Sequence, residues 1–177
     1  NVITHSSSDG ILFERSSNNT ISGNNLYYNA RNGLYIFISD NNAVTSNSIK
    51  DNWNQGIYLQ IGSGNLISGN TIINRPGQTG EVSGIYFSAA NNNLISSNYI
   101  YDNEGSGYGI YVGIYDGPSQ DNYIVGNQIN GAGYIDPNTP PTYDRRIYDA
   151  GTNTAYTDKL KMTFEKKIVT VTSEFSP

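Results

Sequence analysis

Residues 65–72 read NLISGNTI, and this stretch decides the fold because its pattern of asparagines and aliphatic residues recurs along the chain. Successive copies start 23, 23, 28, 29 and 31 residues apart. Repetition at a period of about 20 to 50 residues is typical of solenoid proteins, in which one structural unit stacks on the next. The other copies begin at Asn19, Asn42, Asn93 and Asn122, with a degenerate one at Asn153.

A second motif, a glycine followed by an apolar run, alternates with the first. It is clearest at residues 56–59 (GIYL) and recurs from Gly10, Gly33, Gly84 and Gly109. Alternation with period two is typical of strands, and it turns these residues inward: Ile57, Leu59, Ile61, Ile67 and Ile72. Coils stacked at about 4.8 Å pair as parallel strands around a closed apolar interior. The sequence therefore predicts an all-β fold, a single-stranded parallel β-helix of about six coils.

One asparagine recurs at a fixed turn position of the first motif. In stacked coils these side chains lie above one another, so we expect an asparagine ladder with amide-to-amide hydrogen bonds. Asparagine also tolerates the left-handed backbone that such turns need. An antiparallel sandwich would show hairpin turns without a fixed repeat, and these coils leave no room for the helix of a leucine-rich solenoid. The column consists of Asn24, Asn47, Asn70, Asn98 and Asn127.

The two repeated units resemble those of a known group of proteins. NLISGNTI and GIYL are similar to the repeats of the pectate-lyase-like superfamily, in particular its NosD-like type. The resemblance covers about residues 1–158 and implies a right-handed parallel β-helix, which leaves residues 159–177 as a C-terminal cap or an edge strand. It implies little about function, because this superfamily includes lyases, hydrolases, epimerases, adhesins and viral fibres.

The first residue is already in register with the repeat. Asn1 precedes Gly10 by the same nine residues that separate Asn24 from Gly33. Solenoids generally cover their ends with a cap. We therefore expect either upstream coils or a self-associating partner chain on this end of the stack.

Composition argues against several classes of partner. Charged residues make up 14% of the chain and the net charge is −5, whereas phosphate binding needs clustered Lys and Arg. No apolar run approaches the roughly 18 residues of a membrane helix. Cysteine is absent, and His5 and Met162 lie at opposite ends of the chain, whereas soft-metal sites need several such ligands together. We predict an extracellular or cell-surface protein without nucleic-acid, membrane, metal or cofactor partners.

Longer spacings between the motifs indicate loops. Three of them, at about residues 74–83, 103–108 and 130–145, enter at the same corner before the glycine motif, and residues 116–120 form another after it. Insertions into a solenoid tend to mark its working face. The strands between these loops share an outward tyrosine, at Tyr35, Tyr58, Tyr86, Tyr111 and, by register, Tyr148. Tyrosine suits sugar rings, but such a column also stacks for stability alone or contacts another protein chain.

Candidate catalytic residues rest on weaker patterns. Polysaccharide hydrolases need carboxylates at a defined separation, and those near the loops are Glu81, Asp102, Glu104, Asp136 and Asp144. Arg145 and Arg146 are placed to hold an acidic sugar. The signatures of polygalacturonases and alginate epimerases are absent, since residues 136–138 read DPN rather than DPH. A solvated or turn-capping role is the simpler interpretation of each acidic residue.

The sequence leaves three functional hypotheses open. The first is a non-catalytic extracellular β-helix that binds a polysaccharide or joins a surface assembly through the tyrosines and loops. The second is a polysaccharide lyase, glycoside hydrolase or epimerase, which requires carboxylates converging within about 10 Å over the tyrosine sheet. The third is a structural fibre or stalk. Binding predicts exposed, coplanar tyrosine rings, whereas a stalk predicts rings covered by another chain or by the loops.

Overall fold

The computed structural model describes residues 1–77, 82–101, 108–113, 115–130 and 147–156. The elements named within them are β-strands, three in each coil. The first coil has β1 (Val2–Thr4), β2 (Ile11–Glu14) and β3 (Thr20–Ser22), and the second has β4 (Asn25–Tyr27), β5 (Leu34–Phe37) and β6 (Ala43–Thr45). The third has β7 (Ser48–Lys50), β8 (Ile57–Gln60) and β9 (Leu66–Ser68), and the fourth has β10 (Thr71–Ile73), β11 (Ile85–Ser88) and β12 (Leu94–Ser96). The fifth has β13 (Tyr99–Tyr101), β14 (Ile110–Gly113) and β15 (Tyr123–Val125), and the sixth has β16 (Gln128–Asn130), β17 (Ile147–Asp149) and β18 (Ala155–Tyr156).

The strands form three parallel sheets that run along the axis of the stack. Sheet A takes the first strand of every coil, sheet B the second and sheet C the third. Neighbouring strands are in register from coil to coil, so that Ile57 of β8 pairs with Leu34 of β5 and with Ile85 of β11. This architecture confirms the predicted all-β parallel β-helix, and its six coils agree with the number expected from the repeats.

The interior is filled by aliphatic side chains that recur at the same positions in each coil. Ile57, Leu59, Ile67 and Ile72 are fully buried, as predicted. The prediction for Ile61 is wrong, because its side chain is 40% exposed. The chain has left β8 at this residue and turns with a φ of 54°, and the alternation of a strand does not continue through a left-handed turn.

Buried asparagines stack where each coil passes from sheet C to sheet A. The side-chain amide of Asn47 donates to Oδ1 of Asn70 at 3.0 Å, and Asn70 donates in turn to Asn98 at 2.9 Å. Asn70 Oδ1 also accepts the backbone N–H of Asn47, and its amide donates to the carbonyl oxygen of Val44. Asn24 and Asn127 continue the same column. The expected stacking is therefore present, and each amide also supports the backbone of the adjacent coil.

Asparagines of adjacent coils also meet at the two other corners. One set lies before sheet C, where the copies of the first motif begin. The other follows sheet A, where the amide of Asn29 donates to Oδ1 of Asn52 at 2.9 Å. This last pair belongs to neither repeated motif and was not expected from the sequence. The asparagine pairs named here are thus hydrogen-bonded between coils at all three corners, as buried polar groups generally are.

The glycine of the second motif is required by close packing rather than by an unusual backbone conformation. A Cβ atom on Gly56 would lie 2.6 Å from the carbonyl oxygen of Gly84 and would overlap Cγ2 of Ile72. Gly33 and Gly84 have equivalent surroundings. The corner before sheet B therefore has no room for a side chain at this position.

The last described strand, β18, ends at Tyr156. The predicted boundary between coils (1–158) and a C-terminal segment (159–177) lies outside the described residues and stays a prediction. Within the described ranges, no helix combines the length and the apolarity needed to cross a bilayer.

We expect Asn70→Ala to lower the free energy of unfolding by about 2–4 kcal/mol, because Asn47, Asn98 and the Val44 carbonyl would lose buried hydrogen-bond partners. Urea denaturation followed by circular dichroism measures this change. Asn25→Ala, at an exposed position of β4, is the control and should change stability by less than about 0.5 kcal/mol. Similar effects of the two substitutions would contradict a structural role for the buried amides.

Candidate functional site

Sheet B presents the predicted tyrosines as a column on its outer face. Strand pairing puts Tyr35, Tyr58, Tyr86 and Tyr111 at equivalent positions of four successive coils. Each of the four is half-buried, while the residues on either side of it in the strand are buried. Tyr148 of β17 pairs with Tyr111 through the backbone, but its side chain lies outside the described part of the chain.

The four rings form two stacked pairs rather than one flat surface. Tyr35 and Tyr58 have ring centroids 4.9 Å apart and planes within 11° of each other, and Tyr86 and Tyr111 are 4.7 Å apart with planes within 3°. The pairs meet at right angles, since Tyr58 and Tyr86 lie edge to face at 5.0 Å and 89°. The exposed, coplanar rings that the binding hypothesis predicts are therefore not found in these four tyrosines, which are half-buried. Coils about 4.8 Å apart are too close for rings to lie side by side in one plane, so the rings tilt and stack.

A groove of about 470 Å³, called here the tyrosine groove, lies between this column and the corner that precedes sheet B. The exposed side chains of Arg31 and Asn54 occupy equivalent turn positions of adjacent coils, because the Asn54 N–H donates to the Arg31 carbonyl at 3.0 Å. The groove therefore combines an aromatic floor with a polar wall that carries one positive charge. Its lining residues are Arg31, Asn32, Tyr35, Asn54, Gln55, Tyr58 and Tyr86.

The opposite side of the tyrosine column is held by a hydrogen-bond network centred on Asp116. Oδ2 of Asp116 accepts hydrogen bonds from Nε2 of Gln60 and from the Ser88 hydroxyl, both at 2.7 Å. The backbone N–H of Asp116 donates to Oγ of Ser88 at 3.0 Å. Gln60 also accepts a hydrogen bond from the Tyr35 hydroxyl. A carboxylate from the fifth coil is thus linked to a tyrosine of the second coil through Gln60 of the third.

A family model matches most of the length of this chain and identifies its family. The family model described as "Right handed beta helix region" matches residues 1–147. The chain belongs to the right-handed β-helix family. The handedness implied by the sequence resemblance is thereby shown together with the fold. A comparison with curated proteins gives no match.

Solved structures similar to this right-handed β-helix include two kinds of epimerase. The A-module of the mannuronan C-5 epimerase AlgE4 from Azotobacter vinelandii has 19% identity and a TM-score of 0.72, over 89% of this chain and 44% of that one. A double mutant of the periplasmic alginate epimerase AlgG has 18% identity and a TM-score of 0.61, over 87% and 38%. A second AlgG mutant has 18% identity and a TM-score of 0.56, over 87% and 39%. The chain spans less than half the length of each, and at these identities the likeness concerns the fold alone.

The insertions of this right-handed β-helix enter where the sequence predicts. Regular coils connect sheet A to sheet B through six residues (28–33 and 51–56), whereas the later connections comprise residues 74–84, 102–109 and 131–146. The structure brings the tyrosines together but describes none of the charged candidates on these loops. Those candidates, whose roles stay predictions, are Glu81, Asp102, Glu104, Asp136, Asp144, Arg145 and Arg146.

Sequence reasoning missed three polar residues of this site, Arg31, Gln60 and Asp116. Asp116 lies in an insertion that the spacing of the motifs reveals, but nothing in that spacing indicates that it reaches two coils back. Arg31 has no charged equivalent in the neighbouring coils, where Ser8 and Asn54 occupy its position. Among the described residues, no group of three or more His, Cys, Asp or Glu side chains could hold a metal ion.

Burial raises the pKa of the Tyr58 hydroxyl, and the negative charge of Asp116 raises it further, followed by the neighbouring tyrosines. Burial also raises the pKa of Tyr35, with Asp9 and Asp116 adding to the effect and Arg31 opposing it. Both hydroxyls therefore keep their protons above the ordinary tyrosine pKa of 10.0. At neutral pH they act as hydrogen-bond donors rather than as ionised bases.

We expect the raised pKa of Tyr58 to make the protein less stable as the pH rises above 10. Near pH 10 the unfolded chain releases the Tyr58 proton, while the folded chain retains it. The contribution of protonated Tyr58 to the stability of the fold is therefore complete below pH 10 and is lost as the pH rises through the folded-state pKa. Tyr58→Phe removes the titrating group and should flatten the alkaline loss of stability measured by urea denaturation. Tyr123→Phe, at an exposed position of β15, is the control. A Tyr58→Phe profile as steep as that of the wild type would refute the assignment.

Proposed function

We propose that this chain is part of an extracellular β-helix protein that binds a polysaccharide along the tyrosine groove. The observation that carries the proposal is the tyrosine column flanked by an exposed Arg31 on one side and by Asp116 on the other. Sugars present apolar C–H faces together with hydroxyl groups, so a sugar site needs aromatic and polar groups on the same surface.

The chemistry of the polar groups supports a sugar ligand. The Tyr58 hydroxyl is protonated at neutral pH, as is that of Tyr35, which already donates to Gln60, and Asn54 adds an exposed amide. The planar guanidinium of Arg31 suits the carboxylate of an acidic sugar. Since Asp116 carries the opposite charge, acidic groups of the ligand are favoured on the Arg31 side of the groove.

The spacing of the column supports a polymer rather than a single sugar. Its rings repeat every 4.7–5.0 Å along the axis, which is comparable with the length of one sugar residue in an extended chain. Successive coils would then meet successive sugar residues. The names of the two similar epimerases, which refer to mannuronan and alginate, agree with a ligand of this class.

Catalysis on the same polymer is the second candidate function. It is favoured by the three insertions, which all enter at the corner beside the groove. In this case the loop carboxylates, such as Asp102 and Asp136, would supply the acid or base, and Arg145 or Arg146 would hold an acidic sugar. Binding alone and catalysis would use the same surface, and they differ in whether the bound polysaccharide is chemically altered.

Isothermal titration with soluble alginate and with neutral mannan oligosaccharides tests the binding proposal. Tyr58→Ala and Tyr86→Ala should each weaken binding about tenfold or more, because they remove rings from the floor of the groove. Tyr123→Ala, an exposed tyrosine of sheet C, should leave the affinity unchanged. Arg31→Ala should weaken the binding of alginate more than that of mannan, and this difference should shrink at high salt.

Thermal unfolding of each variant separates loss of contact from loss of fold. If Tyr58→Ala and Tyr86→Ala remain folded and bind as tightly as Tyr123→Ala, the column serves only stability and the proposal fails. Proton NMR of the oligosaccharides after incubation with the protein decides the second candidate. Unchanged sugar spectra support binding alone, whereas new anomeric or unsaturated signals support an enzyme.

A further inference from the structure

We infer that Tyr115 is a further ligand-binding residue beside the tyrosine column, on the side opposite the tyrosine groove, and that it stacks its ring on a sugar ring of the bound polysaccharide. The inference rests on the proposed function, because it names a second contact for the same ligand. It concerns the loop of residues 115–120, which leaves the fifth coil after β14 and is absent from the regular coils.

Exposure distinguishes Tyr115 from the other aromatic residues that the structure describes. Its side chain is 88% exposed, whereas the next most exposed large hydrophobic residue, Val2, reaches 59%. A single exposed hydrophobic residue needs no explanation by itself. Tyr115, however, directly precedes the carboxylate that links this loop to the tyrosine column.

The loop that presents Tyr115 is fixed at both ends. Asp116 is bound to Gln60 and Ser88, so the start of the loop folds back from the fifth coil over the third and fourth. At the other end the buried Ser119 donates to the carbonyl of Gly113 at 2.8 Å and accepts the N–H of Ala90 at 3.2 Å. The ring is therefore held out to solvent from a fixed base, which lowers the entropy cost of binding a ligand.

Tyr115 supplies what the tyrosine column lacks. The rings of the column use their faces on one another, in two stacked pairs and one edge-to-face contact. The column would therefore contact the ligand through its ring edges and hydroxyls, whereas stacking on a sugar requires an unoccupied ring face, and Tyr115 offers one. Its neighbour Asp116 is bound to Gln60 and Ser88, which lie two residues beyond Tyr58 and Tyr86 on the same strands. A polymer on the column would therefore pass beside the Tyr115 ring.

Asp116 is then a positioning residue rather than a contact for the sugar. Its Oδ2 atom already accepts two hydrogen bonds from the protein, and its charge disfavours an acidic sugar at this side of the column. Without these bonds the start of the loop should become mobile and the Tyr115 ring should no longer be held in one orientation, although the ring itself is unchanged.

The test compares four variants and one control variant with the wild type by titration with soluble alginate and mannan oligosaccharides. Tyr115→Ala should weaken binding about 3- to 10-fold, and Tyr115→Trp should stay within about twofold of the wild type because a ring face is retained. Asp116→Ala should weaken the binding of neutral mannan to a similar degree, and that of alginate less, because it also removes a charge that repels acidic sugars. Tyr115→Ala/Asp116→Ala should bind mannan no more weakly than either single variant, because both act through one contact. Tyr123→Ala, from sheet C of the same coil, is the matched control.

A second measurement reports on Tyr115 directly. Nitration by tetranitromethane, located by mass spectrometry, should modify Tyr115 readily, and the bound oligosaccharide should protect Tyr115 but not Tyr123. If the wild type binds, Tyr58→Ala weakens binding, and Tyr115→Ala changes neither affinity nor protection, this inference fails while the proposed function stands. If the wild type binds neither oligosaccharide, both fail together.

Discussion

Each coil of this protein must follow the path of the coil beside it, because its backbone and its buried amides are hydrogen-bonded to neighbours one turn away. Asn70 shows what this requires, since its oxygen accepts from the preceding coil while its amide donates to the following one. An aspartate could accept but not donate, and a serine offers only one donor. One asparagine amide in each coil supplies both a donor and an acceptor to the adjacent coils. This explains why asparagine recurs at this position of the repeat.

Because the coils follow the same path, residues at equivalent positions of the repeat lie above one another in columns. Residues at equivalent positions lie about 4.8 Å apart on adjacent strands, where like charges are destabilising. A position that repeats over several coils therefore favours neutral side chains, which agrees with a charged fraction of only 14%. Arg31 fits this rule, because the equivalent positions of the adjacent coils are the neutral Ser8 and Asn54.

What could be predicted from the sequence is what the repeat dictates. The spacing of the motifs gives the register, so the fold, the inward Ile57 and Leu59 and the column from Tyr35 to Tyr111 were accessible before any coordinates. The prediction that Ile61 points inward was wrong because the alternation of buried residues was extended past the end of a strand. The coplanar arrangement of the rings was not found for a different reason. The register fixes the backbone position of each tyrosine but not how its ring turns to fit its neighbours in adjacent coils.

The residues that break the repeat were the least predictable, and they carry most of the chemical character of the site. In the proposed function, a column of identical tyrosines would treat each sugar residue of a polymer alike, so it would supply affinity without selecting a position or a charge. Arg31 and Asp116 give the two sides of the tyrosine column opposite charge, and each occurs once rather than in every coil. Asp116 reaches Gln60 from two coils away, a contact set by the path of an insertion rather than by any period. In the proposed function, selectivity would therefore come from residues that break the repeat, whether in a regular connection like Arg31 or in an insertion like Asp116, which is why the fold can be derived from this sequence much more completely than its ligand.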